Sequence, residues 1–233
     1  MIYYYDLHIH SVLSPDADVL MTPNNIFNMA YLKKLDIIAV TDHNSCKQLL
    51  MMDELSKSYD LLFIPGIELS LKEDFHVLVY FKHVNDAIKF DQLINQWRDK
   101  TRYDDDLVHG QSITDINDEV TGYYPYDLSK NLSLSLNDLN QILKPFHHIL
   151  VFAHVNRTKH SGINYLSKID VDAIELSKQV RDGFIHEHKL DHYKILYNSD
   201  AHQIVDINEQ TDKNKLELES LSIDAFFNFF KHG

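Results

Sequence analysis

Residues 6–11 read DLHIHS and follow a short apolar run at positions 3–5. A run of this kind predicts a β-strand, on which side chains two positions apart point to the same side. His8 and His10 therefore share one side of the predicted strand, where they can bind a single metal ion together. A histidine pair at a strand end is weak support for a metal site when it stands alone, so its meaning depends on the rest of the chain.

The same arrangement recurs along the chain: a short apolar run ends in polar, chemically capable side chains and is followed by a stretch with helical spacing. Nearly continuous apolar runs rich in β-branched and aromatic residues are typical of strands buried on both faces. The alternation predicts an α/β fold with a parallel sheet, and polar residues at the carboxyl ends of the strands favour a barrel with its site at that rim. The runs occupy positions 36–40, 61–64, 75–81, 149–152, 171–174 and 193–197.

One stretch, at about 85–137, fits this alternation poorly. It contains a predicted helix at 87–97 and the acidic run Asp104-Asp105-Asp106, followed by several turn-forming residues. We interpret it as an inserted helical subregion that could cover the site or contact substrate. The alternative is an ordinary long connection. In either case the chain, 1–233, is predicted to form a single domain.

Histidine and carboxylate side chains accumulate at the predicted strand ends, and this pattern indicates a metal site. Any one of these residues could be a surface or supporting residue, but their accumulation at one edge by chance is improbable. Imidazole and carboxylate ligands together suit zinc, manganese or iron. Beyond His8 and His10, the candidates are Asp16, Asp42 with His43, Glu68, His76, His154, and Asp200 with His202.

The composition agrees with a globular protein that binds cations. The 233 residues include 15 histidines and carry a formal net charge of -13, which disfavours non-specific attraction to nucleic acid or anionic membranes. The single cysteine, Cys46, cannot form an internal disulfide. No apolar run reaches the roughly 18 residues that span a bilayer. These features predict a cytoplasmic protein that does not act on membranes.

In order and spacing, the segments DLHIHS, TDH, PGIELS, the histidine in FHVLVYF, AHV and SDAH resemble the motifs of the polymerase and histidinol phosphatase (PHP) family. The similarity spans about residues 5–202. It implies a distorted, seven-stranded (β/α)7 TIM-like barrel that binds up to three divalent metals. Members of this family are mostly phosphoesterases, so the resemblance also implies a hydrolase.

The resemblance implies a set of ligands for each of three ions. The first ion would be held by His8, His10, Glu68 and Asp200. The second would share Glu68 and be completed by His76 and His154. The third would be held by Asp16, His43 and His202.

Three further aspartates border this set. Asp18 lies near Asp16 in the sequence and is the alternative ligand of the third ion. Asp6 and Asp42 are interpreted as supporting residues that orient imidazoles by hydrogen bonds. In the AHV motif the family often has a proline where this chain has Val155, so pocket details of relatives need not carry over.

The predicted chemistry is hydrolysis of a phosphomonoester or diester by a hydroxide that bridges two metals, because coordination lowers the pKa of water toward about 7. A cationic side chain would stabilise charge on the phosphate oxygens. Arg157, just after the catalytic candidate His154, is the first candidate because a guanidinium binds phosphate through two hydrogen bonds. Arg98 and Arg102, four positions apart on a possible helix, are further substrate-binding candidates. For all three arginines the alternative is a solvated surface position.

The expected substrate is a small phosphorylated metabolite or nucleotide, but two other functions stay open. A nuclease acting on short oligonucleotides would use the same chemistry, although the acidic balance and the lack of a basic, aromatic-rich stripe weigh against strong nucleic-acid binding. A metal-stabilised module without catalysis would act through a protein partner, which the sequence does not identify.

Overall fold

The computed structural model describes residues 1–103 and 110–232. Within these ranges the strands are β1 (Ile2–Ile9), β2 (Ile37–Val40), β3 (Leu62–Ser70), β4 (His76–Phe81), β5 (Ser112–Thr114), β6 (Val120–Tyr123), β7 (His148–Phe152), β8 (Ala173–Glu175), β9 (Ile195–Leu196) and β10 (Lys215–Glu217). The helices are α1 (Pro23–Leu32), α2 (Leu49–Ser56), α3 (Val84–Ile94), α4 (Leu136–Leu143), α5 (Phe184–Glu187) and α6 (Ile223–His232). The predicted α/β class is confirmed. Among the described helices, none has the length and apolar character needed to cross a membrane.

The large sheet has the strand order β10-β1-β2-β3-β4-β7-β8-β9. Strands β1 to β3 run parallel, as do β7 to β9, whereas β4 runs antiparallel to both β3 and β7. The sheet curls, so that the segment after β9 returns to β1, where Ile9 and Ala201 form a parallel bridge. There the His10 N–H donates to the carbonyl of Ala201 at 2.9 Å. The predicted TIM-like arrangement is confirmed, with β10 added beside β1 as an eighth strand.

Strand β4 departs from the parallel direction of its neighbours, and this reversal has a local cause. Only residues 71–75 separate β3 from β4. A connection this short joins antiparallel strands, because parallel strands need a crossover of about a dozen or more residues. The reversal places the first residue of β4, His76, opposite Ser70 at the end of β3. His76 therefore lies at the edge where the parallel strands have their carboxyl ends.

The chain between β4 and β7 includes the stretch predicted as an insertion at about 85–137, and its described residues are helical in α3, in a 3-10 turn at Asn95–Trp97 and at the start of α4. Its middle contains the hairpin β5–β6, which corrects the prediction of a helical subregion. The hairpin turn is stabilised by Asp115, whose carboxylate accepts hydrogen bonds from the N–H groups of Asn117 and Glu119. The acidic run Asp104-Asp105-Asp106 lies outside the described residues.

The two faces of the sheet bury separate apolar groups. Helices α1 to α4 pack on one face. The other face packs against α6, whose Phe226 is fully buried and meets the Tyr80 ring edge-on at 6.4 Å between centroids. The sheet is thus covered on both faces, which leaves its carboxyl-end rim for the polar side chains.

A register shift in β1 determines the direction in which the side chains of His8 and His10 point. Leu7 packs with the α6 face and Ile9 with the opposite face, although the two are two positions apart. The pairing of β1 with β2 shifts register between Asp6 and Ile9, and such bulges re-aim side chains. Beyond the shift, His8 and His10 point away from the face that buries Ile9.

Candidate metal centre

The predicted metal ligands converge at the rim around one cavity of about 270 Å³. Two of them, His8 and His10, are fully buried behind the cavity wall. The predicted ligands that line the cavity itself are Asp16, His43, Glu68, His76, His154, Asp200 and His202. The structure therefore brings together all nine residues that the motifs singled out.

The first group of ligands is compact. The Nε2 atoms of His8 and His10 are 3.1 Å apart, and they lie 3.1 and 3.2 Å from Asp200 Oδ1. Glu68 completes the group, with Oε1 3.4 Å from His8 Nε2 and Oε2 3.4 Å from His10 Nε2. Metal–ligand distances of about 2.1 Å separate neighbouring ligand atoms by about 3.0 Å in octahedral and about 3.4 Å in tetrahedral coordination. The observed spacing fits a single ion.

The second group shares the Glu68 carboxylate. Its Oε1 atom lies 3.0 Å from His76 Nδ1 and 3.2 Å from His154 Nε2. Its Oε2 atom lies 2.9 Å from His43 Nδ1. Glu68 is only 1% exposed, so one buried carboxylate connects all the ligand groups of the rim.

The third group is built around Asp16. Its two carboxylate oxygens lie 3.4 Å from His43 Nε2 and 3.1 Å from His202 Nε2. The rival Asp18 instead accepts a hydrogen bond from the N–H of Leu20 in its own loop at 2.9 Å. Local geometry therefore favours Asp16 as the ligand.

Several buried ligand atoms have no hydrogen-bond partner within the described part of the chain, and this supports a cation at the rim. Leaving such an atom unpaired costs about 1–3 kcal/mol. A divalent ion that accepts their lone pairs removes this cost, and the mixture of imidazole and carboxylate suits zinc, manganese or iron. These atoms are His43 Nδ1, Glu68 Oε2 and His202 Nε2, whose close approaches to oppositely charged groups lack hydrogen-bond geometry.

Without a metal, protons take the place of the cations. Burial lowers the pKa of His8, but the carboxylates of Asp200, Glu175 and Glu68 outweigh it and hold that pKa well above its usual range. Burial also opposes the charged form of His43, yet Glu68 and Asp16 raise its pKa to about 10. Burial and the neighbouring charged histidines lower the pKa of His10 to about 3. The neighbouring carboxylates thus favour the charged forms of His8 and His43.

We expect metal binding at pH 7 to release protons, at least one each from His8 and His43, because an imidazole nitrogen must lose its proton to bind an ion. Burial opposes ionisation of Glu68 and Asp200, but neighbouring histidines hold their pKa values well below the usual range, so these carboxylates release none. Apparent metal affinity should then rise about tenfold or more for each pH unit between 6 and 8. Calorimetric titration with Mn²⁺ in buffers of different ionisation enthalpy counts the protons. An affinity independent of pH would contradict the expectation.

Asp42 supports the site through serines. Its carboxylate accepts hydrogen bonds from the N–H and the hydroxyl of Ser11, both at 2.7 Å, and from the Ser14 hydroxyl at 2.8 Å. Ser14 Oγ also lies 2.8 Å from His10 Nδ1. Asp42 therefore reaches the His10 imidazole by way of Ser14.

Asp6 does not orient an imidazole, which corrects its predicted role. Its carboxylate accepts hydrogen bonds from the N–H groups of Ser199 at 3.0 Å and Asn208 at 2.9 Å. The register shift in β1 turns Asp6 to the face opposite His8. It thereby fixes the backbone directly before Asp200.

One buried carboxylate of the site was missed from the sequence. Glu175 ends β8, is 1% exposed, and lies with Oε2 3.0 Å from His8 Nδ1. The signal that could have found it is the same one that found the ligands, a carboxylate directly after a short apolar run. That signal is weak here, because the apolar run before Glu175 is brief.

The three candidate arginines have different surroundings. Arg157 lines the cavity, is about half exposed, and its Nη1 lies 2.6 Å from Asp200 Oδ2. Arg98 is buried and donates to the carbonyl of Asn44 and to Asp91 at 2.8 and 2.5 Å, so it is not free to bind phosphate. Arg102 is exposed and does not line the cavity. The predicted shared helix is wrong, because helical structure ends at Trp97 and Arg98 is extended.

The insertion forms one wall of the cavity, as the sequence suggested it could. Ser129 and Asn131 line it, and the buried side chain of Asn44 fastens this segment by donating to the carbonyls of Leu128 and Lys130 at 2.9 and 3.1 Å. The opposite wall includes His160, whose ring stacks on that of His76 at 4.8 Å between centroids. The cavity therefore combines the metal ligands with neutral polar groups and one arginine.

Comparison with known proteins bears on the fold. No family model matches the sequence, and no curated protein matches it. The lesion-specific endonuclease Q of Pyrococcus furiosus matches over 99% of this chain with a TM-score of 0.74 and 20% identity, and this chain spans 56% of that protein. A second structure of endonuclease Q, a complex with a 27-mer duplex that has an abasic lesion at the active site, matches with a TM-score of 0.68 and 18% identity over 99% of this chain and 57% of that one.

A protein of Bifidobacterium adolescentis assigned as a metal-dependent phosphoesterase matches over 90% of this chain and 91% of its own, with a TM-score of 0.57 and 16% identity. A two-domain protein of Bacteroides vulgatus that contains a PHP-like metal-dependent phosphoesterase matches over 88% and 53%, with a TM-score of 0.54 and 16% identity. At these identities the likeness establishes the fold. This chain shares its fold with these metal-dependent phosphoesterases and endonucleases, one of which is described as PHP-like. The family resemblance of the motifs is confirmed at the level of the fold.

Proposed function

We propose that the protein is a metal-dependent phosphoesterase whose active centre is the rim cavity. The observation that carries this proposal is the convergence of imidazole and carboxylate atoms at spacings that fit divalent ions, several of them buried and unpaired. A binding module needs no open cavity beside its ions. Here a cavity of about 270 Å³ adjoins the ligands, and Arg157 lines it. The fold shared with metal-dependent hydrolases supports the same conclusion.

The metal ligands, Arg157 and the other residues that line the cavity have different roles in the proposed hydrolysis. Divalent ions held at the rim supply a nucleophile at neutral pH and neutralise charge on phosphate oxygens. Arg157 can approach a non-bridging phosphate oxygen from the open side of the cavity, and its contact with Asp200 already aims the guanidinium inward. Ser129, Asn131 and His160 are placed to contact the rest of the substrate.

The Arg157→Ala variant should lower kcat/KM by about 100-fold, the usual loss when one charged donor to the transition state is removed. Arg157→Lys should recover only part of this, because an ammonium lacks the planar pair of donors. Initial rates with bis-p-nitrophenyl phosphate in Mn²⁺ measure both variants. The exposed Lys159→Ala is the matched control and should keep wild-type rates. Equal activity in Arg157→Ala and Lys159→Ala would remove Arg157 from the mechanism.

A nuclease is the second candidate, favoured by one observation: endonuclease Q, which has the same fold, is seen with a DNA duplex that carries an abasic lesion at its active site. This chain spans little more than half the length of that protein, and its net charge of -13 opposes strong attraction to a long polyanion. Short or single-stranded oligonucleotides are therefore more suitable substrates than extended duplexes.

One panel of assays separates these candidates. The protein in Mn²⁺ is incubated with p-nitrophenyl phosphate, bis-p-nitrophenyl phosphate, nucleoside bisphosphates, short oligonucleotides and a duplex with an abasic site. Turnover of the small esters alone supports a metabolite phosphoesterase, and preferential cleavage of nucleic acid supports the nuclease. If no substrate is hydrolysed above the level of a His8→Ala control, the proposed activity is wrong.

A further inference from the structure

We infer that Glu175 is a positioning residue of the metal centre, which fixes His8 in the tautomer that binds an ion and ties the backbone of His154 to the same carboxylate. This inference rests on the proposed metal centre and deepens it. It concerns a residue that lies outside the set of ligands implied by the motifs.

The contact with His8 sets the tautomer of that ring. Glu175 Oε2 lies 3.0 Å from His8 Nδ1, while His8 Nε2 faces Asp200 Oδ1 at 3.1 Å. An ionised carboxylate can only accept a hydrogen bond, so Nδ1 carries the proton and Nε2 presents its lone pair to the first ligand group. A carboxylate behind a ligating histidine also fixes the ring and increases its basicity as a ligand.

The second contact reaches a different ligand group. Glu175 Oε1 accepts a hydrogen bond from the N–H of His154 at 3.0 Å, and the Glu175 carbonyl accepts one from Val155 at 2.9 Å. His154 has a φ of 30°, in the left-handed region that is unfavourable for residues with a side chain. The Glu175 carboxylate thus helps to hold a strained backbone that aims the His154 ring at Glu68. One residue therefore connects the first group with the second.

The surroundings of Glu175 argue against a purely structural role. The carboxylate is buried, and its remaining hydrogen bond comes from the amide of Asn198 at 2.7 Å. Among the described residues no lysine or arginine forms an ion pair with it. Its only ion-pair partner among these residues is His8, at 3.0 Å, so the carboxylate faces a proposed ligand and no surface cation.

The test compares Glu175→Gln with Asp172→Asn. Asp172 is a matched control because its carboxylate also serves the backbone, accepting from the N–H of Leu150, but it pairs with Lys231 away from the cavity. Titration of each metal-free protein with Zn²⁺ or Mn²⁺ against a chromophoric chelator gives the affinities. We expect Glu175→Gln to weaken binding of at least one ion by about 10- to 100-fold. Asp172→Asn should lower the melting temperature while keeping wild-type affinity.

A folded Glu175→Gln protein with wild-type affinity would overturn the inference and leave the proposed function intact. A wild-type protein that binds no ion would overturn both. If Glu175→Gln does not fold, ¹⁵N chemical shifts of the histidines in the zinc-loaded wild type decide the matter. A His8 ring protonated at Nδ1 and bound through Nε2 supports the inference, and the opposite tautomer refutes it.

Discussion

Replacing Glu68 with glutamine should lower phosphoester hydrolysis by at least about 1,000-fold, the largest loss we expect from any single substitution. The carboxylate lies within 3.4 Å of five imidazole rings, so its charge is shared by neighbouring ion sites. An amide has nearly the same shape but is neutral and presents only one oxygen. The first and second ligand groups would both lose their shared anion, and the bound metal should fall by more than one ion per chain.

The measurement combines kcat/KM for bis-p-nitrophenyl phosphate with metal content after dialysis. Glu54→Gln is a suitable control, because Glu54 is exposed and pairs only with the neighbouring Lys57. It should match the wild type in both quantities. A Glu68→Gln protein that keeps its full metal content would show that Glu68 is not a ligand, whatever its activity.

Removing the metals by chelation should abolish hydrolysis and lower the melting temperature by about 5–10 °C for each tightly bound ion. An ion present at about 100 times its dissociation constant stabilises the folded protein by about 2.7 kcal/mol. In a chain of this size about 1 kcal/mol corresponds to about 2–4 °C. The buried atoms that lack a hydrogen bond in the metal-free site add to the loss.

Differential scanning fluorimetry before and after dialysis against a chelator gives the shift, and Mn²⁺, Zn²⁺ or Fe²⁺ added back singly shows which ion restores each property. Recovery of both stability and hydrolysis supports the phosphoesterase. Recovery of stability without hydrolysis of any phosphoester would favour the non-catalytic, metal-stabilised module. No change in melting temperature on chelation would contradict a tightly bound metal altogether.

The α/β class and the candidate ligands could both be predicted from the sequence, because each depends on local patterns of residues. A polar side chain that directly follows a buried strand must lie at the sheet edge, so Glu68 and Asp200 could be placed before any coordinates were known. His76 was identified only as a histidine within a predicted strand, and it does not follow the end of an apolar run. Its position at the correct edge depends on the reversal of β4, which follows from the short connection after β3.

The predictions that were wrong or incomplete concern residues whose positions depend on contacts between distant segments. Asp6 was predicted to orient an imidazole. The register shift in β1 instead places its side chain on the face opposite His8, and the sequence of residues 6–11 does not predict this bulge. Arg98 was predicted to bind substrate or, alternatively, to lie on a solvated surface, yet it is buried against Asp91. Glu175 has no local signal beyond one carboxylate after two apolar residues. Its importance appears only when β8 lies beside β7 and close to His8.

Because the chain returns to β1 after β9, an ion bound by the first ligand group would link two segments that are distant in the sequence. His8 and the segment that contains Asp200 are about 190 positions apart in the chain, as the hydrogen bond from the Ser199 hydroxyl to the His8 carbonyl shows. An ion that joins them is a reversible cross-link between the two ends of the barrel wall. Like a disulfide, it removes conformational entropy from the unfolded chain, and the gain grows only with the logarithm of the loop length. We therefore expect metal binding to stabilise the closure between β1 and the segment after β9.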